Sequence, residues 1–177
     1  MIYTSQEAEK AAVLEAAQLM CAAARTAPKT CGIDNLKTLV LTGADILALA
    51  DKMEEIDLRE HNGKATFLSR DAGNLRQAGA VVLIGIERKT YGINCKYCGY
   101  DTCAQCTEHN GTCFFCGTDI GIAVGSAVCT AADLRMDNRV MFSVGYCAAA
   151  MDYAQGNLLW LGIPLSTTGK SPFFDRK

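Results

Sequence analysis

The chain has 177 residues, of which 50% are hydrophobic and 20% charged, and it contains only 3 prolines. This composition excludes a disordered, collagen-like or low-complexity protein and predicts one domain with a packed core. Because 17 Lys and Arg residues stand against 19 Asp and Glu residues, the net charge is −2, which argues against a nucleic acid partner.

The first helix is predicted by its capping residues. Thr4 and Glu7 form the capping-box pattern T-S-Q-E, and the stretch 8–27, rich in Ala, Leu and Glu, predicts a long helix that ends before Pro28. The N-terminal residues carry neither the basic region nor the apolar region of a signal peptide, and no run of eighteen apolar residues occurs. We therefore expect a soluble cytoplasmic protein with no membrane partner.

Strands and helices follow one another along the rest of the chain. Apolar runs predict strands over 36–42, 80–87, 139–146 and 158–165. Helical spacing predicts helices from 43 to about 59, around 70–78, and over 119–134, where Asp119 lies at or near the N-cap. These elements predict one α/β or α+β domain spanning 1–177, with residues 92–118, the cysteine segment, inserted in it as a lobe.

The ten cysteines are the abnormal feature of the composition. Six share the spacing C-x2-C-x4-C-x2-C-x6-C-x2-C, namely Cys95, Cys98, Cys103, Cys106, Cys113 and Cys116. Thiolates separated by two residues are ligands of zinc and of iron–sulfur clusters, and the missing export signal argues against a disulfide framework. The other four, Cys21, Cys31, Cys129 and Cys147, lie in apolar or alanine-rich surroundings and are predicted to be core residues.

Four ligands can be chosen from the six cysteines in two ways. Cys95 and Cys98 with Cys113 and Cys116 give the two C-x2-C pairs of a structural zinc site. Cys95, Cys98 and Cys103 followed by the distant Cys113 give an arrangement that can enclose an iron–sulfur cluster. Thiols that bind no metal, or that become oxidised, are the third possibility, and the spacing alone leaves all three open.

Three stretches, NCKYCGYDTC, GTCFFCGTDIGIAVGSAVCTAADLRMDNRVMF and GIPLSTTGKSPFFDR, resemble a bacterial and archaeal family of uncharacterised proteins with a ferredoxin domain (DUF2148). The resemblance covers most of the chain. It implies one 4Fe-4S cluster bound by Cys95, Cys98, Cys103 and Cys113, and a role in electron transfer, as a carrier or an oxidoreductase, with an unknown redox partner. The alternative is a structural or interaction protein that binds zinc and has no redox activity.

The order of elements in that family is similar to the FMN-dependent nitroreductase fold, and CAAARTAPKT resembles a turn of that fold, A-A-R-x-A-P-S. The resemblance implies an α+β fold, a homodimer and an FMN site containing Pro28, Lys29, Asn35 and Lys170. Asn35 would contact the flavin, while Lys29, Lys170 and Arg176 would meet a phosphate. The simpler interpretation is that Pro28 only ends a helix and that Lys170 and Arg176 are solvated residues of the tail.

Overall fold

The computed structural model describes residues 1–174, so that the predicted phosphate contact of Arg176 lies outside the described residues. Its helices are α1 (Ser5–Thr26), α2 (Ala44–Glu60), α3 (Phe67–Leu75), α4 (Cys103–Glu108), α5 (Phe114–Asp133) and α6 (Phe142–Ala148). Its strands are β1 (Leu36–Leu41), β2 (Ala80–Glu87), β3 (Asp137–Asn138) and β4 (Leu158–Ser166). A short 3-10 turn, Thr30–Gly32, lies between α1 and β1.

The four strands form one antiparallel sheet in the order β1-β2-β4-β3. Helices cover both of its faces: α1 and α5 pack on one, and α2, α3 and α6 on the other. The central strand β2 therefore alternates between two cores, with Val82 and Ile84 in the first and Val81 and Leu83 in the second. This explains why β2 is an unbroken apolar run in an antiparallel sheet, and it settles the fold class as α+β.

Most predicted elements are confirmed, with shifts of a few residues at their ends. The capping box is present, because Thr4 Oγ1 accepts from the Glu7 N–H while the Glu7 carboxylate accepts from the Thr4 N–H. Strand β2 has the predicted bounds, Ala80–Glu87.

The strand predicted over 139–146 is wrong. Only Met141 makes a bridge to the sheet, opposite Gly162, and the chain then forms helix α6. Packing overrides the strand propensity of this stretch: Ser143 donates to the buried Asp71 carboxylate at 2.6 Å, and Gly145 lies directly on the backbone of β4.

Helix α5 begins at Phe114 rather than at Asp119, and it packs along α1, where Ser126 Oγ donates to the carbonyl of Ala23 at 3.0 Å. By length and composition alone, α5 could cross a membrane, a property that it shares with core helices of soluble proteins. Of the four cysteines predicted to be core residues, Cys147 is buried, Cys21 is half-buried, and Cys31 and Cys129 are exposed.

Candidate functional site

The cysteine segment leaves the sheet at the end of β2 through an irregular loop. Gly92, Asn94 and Lys96 have φ values of 73°, 51° and 65°, so that alternate residues of this loop lie in the left-handed region. For Lys96 this conformation is strained, since its Cβ crowds the backbone there. Left-handed residues in such turns direct successive backbone N–H groups into one concavity, as occurs at many anion and iron–sulfur sites.

Asn94 connects this loop to Cys103. Its backbone N–H donates to the Cys103 sulfur at 3.3 Å, and its side-chain Oδ1 accepts from the Cys103 N–H at 2.8 Å. Cys103 starts the short helix α4, whose own capping box is formed by Thr102 and Gln105. The Cys103 sulfur is thus fixed and receives a backbone hydrogen bond, the contact that stabilises negative charge on a ligating sulfur.

Cys106 lies one helical turn beyond Cys103, on the same face of α4, and is fully buried. Its sulfur lies close to the sulfurs of Cys98, Cys103 and Cys113. Burial and these neighbouring sulfurs raise the pKa of the Cys106 thiol. The structure therefore gathers three of the four predicted ligands around a cysteine that was not predicted to be one.

Gly111 packs against Cys106 and the Tyr100 ring. Its N–H donates to the Cys106 carbonyl at 2.7 Å, and a Cβ at this position would lie 3.0 Å from the Cys106 sulfur and 2.7 Å from the Tyr100 ring. Only glycine fits here without displacing its neighbours.

Cys113 and Cys116 join the cysteine segment to the core. Cys113 is the N-cap of α5, where the helix dipole favours negative charge, and both residues are buried. The Cys116 thiol points to two backbone carbonyls, those of Lys89 at 3.1 Å and Glu87 at 3.5 Å. Burial raises the pKa of Cys116 to about 11, so that it is a neutral donor near pH 7.

The donor set has the chemistry of a zinc or iron–sulfur site, because Cys98, Cys103, Cys106 and Cys113 bring four sulfurs into one neighbourhood. Cys95 lies in the preceding loop and is half-buried. In residues 1–174, no three Cys, His, Asp or Glu side chains are already arranged around one point as a metal ion requires. The residue types thus suit a metal ion or cluster bound by cysteines. The thiols lie near one another, but they are not arranged in the geometry of a coordinated metal.

A buried carboxylate, Asp119 on helix α5, joins this helix and Tyr91, which directly precedes the cysteine segment, to the turn after α1. It accepts from the N–H of Thr30 at 3.1 Å, from the Thr30 hydroxyl at 2.8 Å and from the Tyr91 hydroxyl at 2.6 Å. The Asn35 side chain lies near the Tyr91 hydroxyl, and burial together with Asp119 holds the pKa of Tyr91 well above its ordinary value. Sequence analysis assigned Asp119 to a helix cap, and no pattern in the sequence indicates its long-range partners.

The predicted flavin residues divide between two ends of the molecule. Pro28 is exposed, Lys29 donates to the carbonyls of Arg25 and Ala27 at the end of α1, and the Asn35 carbonyl accepts from the N–H of Glu87. These three lie at the same end of the sheet as the cysteine segment.

Lys170 lies at the other end of the sheet, beyond Ser166 at the end of β4. The intervening β2 has 8 residues, a length of about 27 Å. Within one chain, Lys170 is therefore separated from Pro28, Lys29 and Asn35.

Sequence comparison finds two relationships. The profile of the DUF2148 family, described as uncharacterised proteins containing a ferredoxin domain, matches residues 109–176, which include Cys113 and Cys116. An uncharacterised protein of Archaeoglobus fulgidus is 35% identical over 185 positions, covering 99% of this chain and 98% of the relative.

Several solved structures share the fold. A Desulfovibrio desulfuricans protein described as a nitroreductase in complex with FMN superposes with a TM-score of 0.57 at 16% identity, over 92% of this chain and 78% of that one. A Staphylococcus epidermidis protein described as an NAD(P)H:FMN oxidoreductase gives a TM-score of 0.58 at 14% identity, over 89% and 78%. These likenesses confirm the predicted nitroreductase-like fold.

Proposed function

This chain belongs to the DUF2148 family of uncharacterised proteins containing a ferredoxin domain, and on that premise we propose that it is an iron–sulfur redox protein whose cluster binds in the cysteine segment. The ferredoxin domain of the family supports a redox role. The finer parts of the proposal are the 4Fe-4S type of the cluster and its ligation by Cys98, Cys103, Cys113 and a fourth cysteine, for which the sequence pattern offers Cys95. When bound, such a cluster supplies one-electron transfer.

The observation that carries the proposal is the hydrogen bond from the Asn94 N–H to the Cys103 sulfur, at 3.3 Å. A backbone amide directed at a sulfur stabilises thiolate charge and raises the potential of a ligated cluster. The loop that supplies it has alternating left-handed residues, and the N-terminal end of α5 lies at Cys113. Both features favour a site that holds several negative sulfurs.

The remaining contacts position these ligands. Asn94 Oδ1 fixes the start of α4 by accepting from the Cys103 N–H, and Gly111 holds the other end of that helix through the Cys106 carbonyl. Asp119 anchors the first turns of α5, from which Cys113 projects, to Thr30 and Tyr91.

The zinc ligand set chosen from the sequence spacing includes Cys116. A ligating cysteine must lose its proton, yet the Cys116 sulfur lies 3.1 Å from the Lys89 carbonyl oxygen and donates its proton to it. A thiolate in that position would be repelled by the carbonyl. This contact disfavours the set Cys95, Cys98, Cys113 and Cys116.

We propose FMN as a second cofactor only for a homodimer of this chain. Lys29 and Asn35 lie at one end of the chain and Lys170 at the other, so that a flavin in contact with both ends would lie between two copies. Since all ten cysteines are free thiols, a reducing compartment such as the cytoplasm suits the protein.

The test is the metal content and visible spectrum of protein purified without oxygen. We expect a brown protein that contains iron and acid-labile sulfide and that bleaches with dithionite; a yellow, fluorescent component would report FMN. A Cys129→Ala variant, altered at an exposed cysteine far along α5, is the matched control and should keep the wild-type spectrum. A colourless protein with one zinc per chain would refute the proposal.

A further inference from the structure

Cys106 and Cys116 are both fully buried, but their surroundings differ. The fully buried Cys106 sulfur lies near those of Cys98, Cys103 and Cys113. By contrast, Cys116, equally buried, directs its proton to two backbone carbonyls. The Cys116 thiol therefore has backbone carbonyl acceptors, whereas the neighbours of the Cys106 sulfur are other cysteine sulfurs.

The local backbone is built to deliver Cys106 to that position. Cys106 is the one buried residue of α4, a helix that is otherwise exposed or half-exposed. The capping box of Thr102 fixes where this helix begins, and an i, i+3 spacing places Cys106 beside Cys103 on one face. The approach of Gly111, without a side chain, leaves room next to the Cys106 sulfur.

We propose that Cys106, rather than Cys95, is the fourth cysteine ligand of the metal centre, with Cys98, Cys103 and Cys113 as the other three. This rests on the proposed function, because it concerns the same site. It changes the sequence-derived ligand set at one position: Cys95 becomes a loop residue beside the centre, and the C-x2-C pair of α4 contributes both of its sulfurs.

The test compares Cys106→Ala with Cys95→Ala, purified anaerobically, by iron and sulfide content per chain and by the electron paramagnetic resonance of the reduced protein. We expect Cys106→Ala to lose at least tenfold in iron or to convert to a cluster with one iron fewer. Cys95→Ala should retain the wild-type content and signal. Loss in Cys95→Ala, or retention in Cys106→Ala, would overturn the assignment.

Two further measurements keep the outcome decisive. If Cys106→Ala does not fold by circular dichroism, Cys106→Ser takes its place, and a folded serine variant with an unchanged spectrum would overturn the proposal. If wild-type protein holds no iron, the proposed function fails, and Co²⁺ titration of the apoprotein still decides the ligand. Weaker thiolate-to-cobalt absorption in the Cys106 variant, but not in Cys95→Ala, supports the assignment, and the reverse overturns it.

Discussion

Replacing Asp119 by alanine tests whether the buried carboxylate joins helix α5 and Tyr91, at the two ends of the cysteine segment, to the turn after α1. The substitution leaves three donors without an acceptor: the Thr30 N–H, the Thr30 hydroxyl and the Tyr91 hydroxyl. A buried donor left unpaired costs about 1–3 kcal/mol. Because Thr30 and Tyr91 are only half-buried and water can reach part of the site, we expect a total loss of about 3–5 kcal/mol.

The assay is urea unfolding of anaerobically purified protein, followed by circular dichroism. Tyr91→Phe removes one of the three donors and should cost about 1.5–3 kcal/mol. Combined with Asp119→Ala it should cost less than the sum of the two, because both variants remove the same hydrogen bond. Asp133→Ala, at the exposed end of the same helix, is the control and should stay within about 0.5 kcal/mol of wild type. An Asp119→Ala loss below about 1 kcal/mol would refute the reasoning.

Two other predictions concern the scaffold. Gly145→Ala should lower the free energy of unfolding by about 1–3 kcal/mol in the urea assay, because the new Cβ would lie 2.0 Å from the Trp160 carbonyl oxygen. The control is Gly125→Ala, whose Cβ would meet nothing within 4 Å and which should be neutral or stabilising. Equal effects of the two substitutions would contradict this packing. Burial alone would raise the pKa of Asp57, but hydrogen bonds from Ser69 and Thr66 outweigh it and hold the pKa well below its ordinary value. Its stabilisation is therefore complete above about pH 5 and is lost as the pH falls below about 4. Asp57→Asn should flatten this acid limb of unfolding free energy against pH, and an unchanged limb would contradict the assignment.

The core was predictable from the sequence where hydrophobic pattern and packing agree. Strand β2 is buried on both faces, so that its apolar run is a direct consequence of its position, and α1 carries its own capping box. Residues 139–146 show the limit of such patterns. Their β-branched and aromatic content favours a strand, but Gly145 allows a helix to lie against Trp160, a contact between residues distant in sequence.

The cysteine segment could be identified from spacing, but its internal geometry could not. The ligand set derived from the sequence leaves Cys106 out, since a spacing of two residues does not indicate which pair of cysteines faces one centre. The position of the Cys106 sulfur relative to the others depends on α4, a six-residue helix with little pattern of its own, and on the left-handed conformations of Asn94 and Lys96. Likewise, the separation of Lys29 from Lys170 follows from the sheet register, which a one-dimensional motif does not contain.

The central claim is that the cysteine segment binds an iron–sulfur cluster, and the most direct measurement is electron paramagnetic resonance of dithionite-reduced protein purified without oxygen. Wild-type protein and Cys116→Ala should both give the signal of a reduced cluster, because the Cys116 thiol donates to the Lys89 carbonyl and is not a ligand in this account. Cys113→Ala should lose it. No signal in reduced wild-type protein, or equal loss in both variants, would contradict the account.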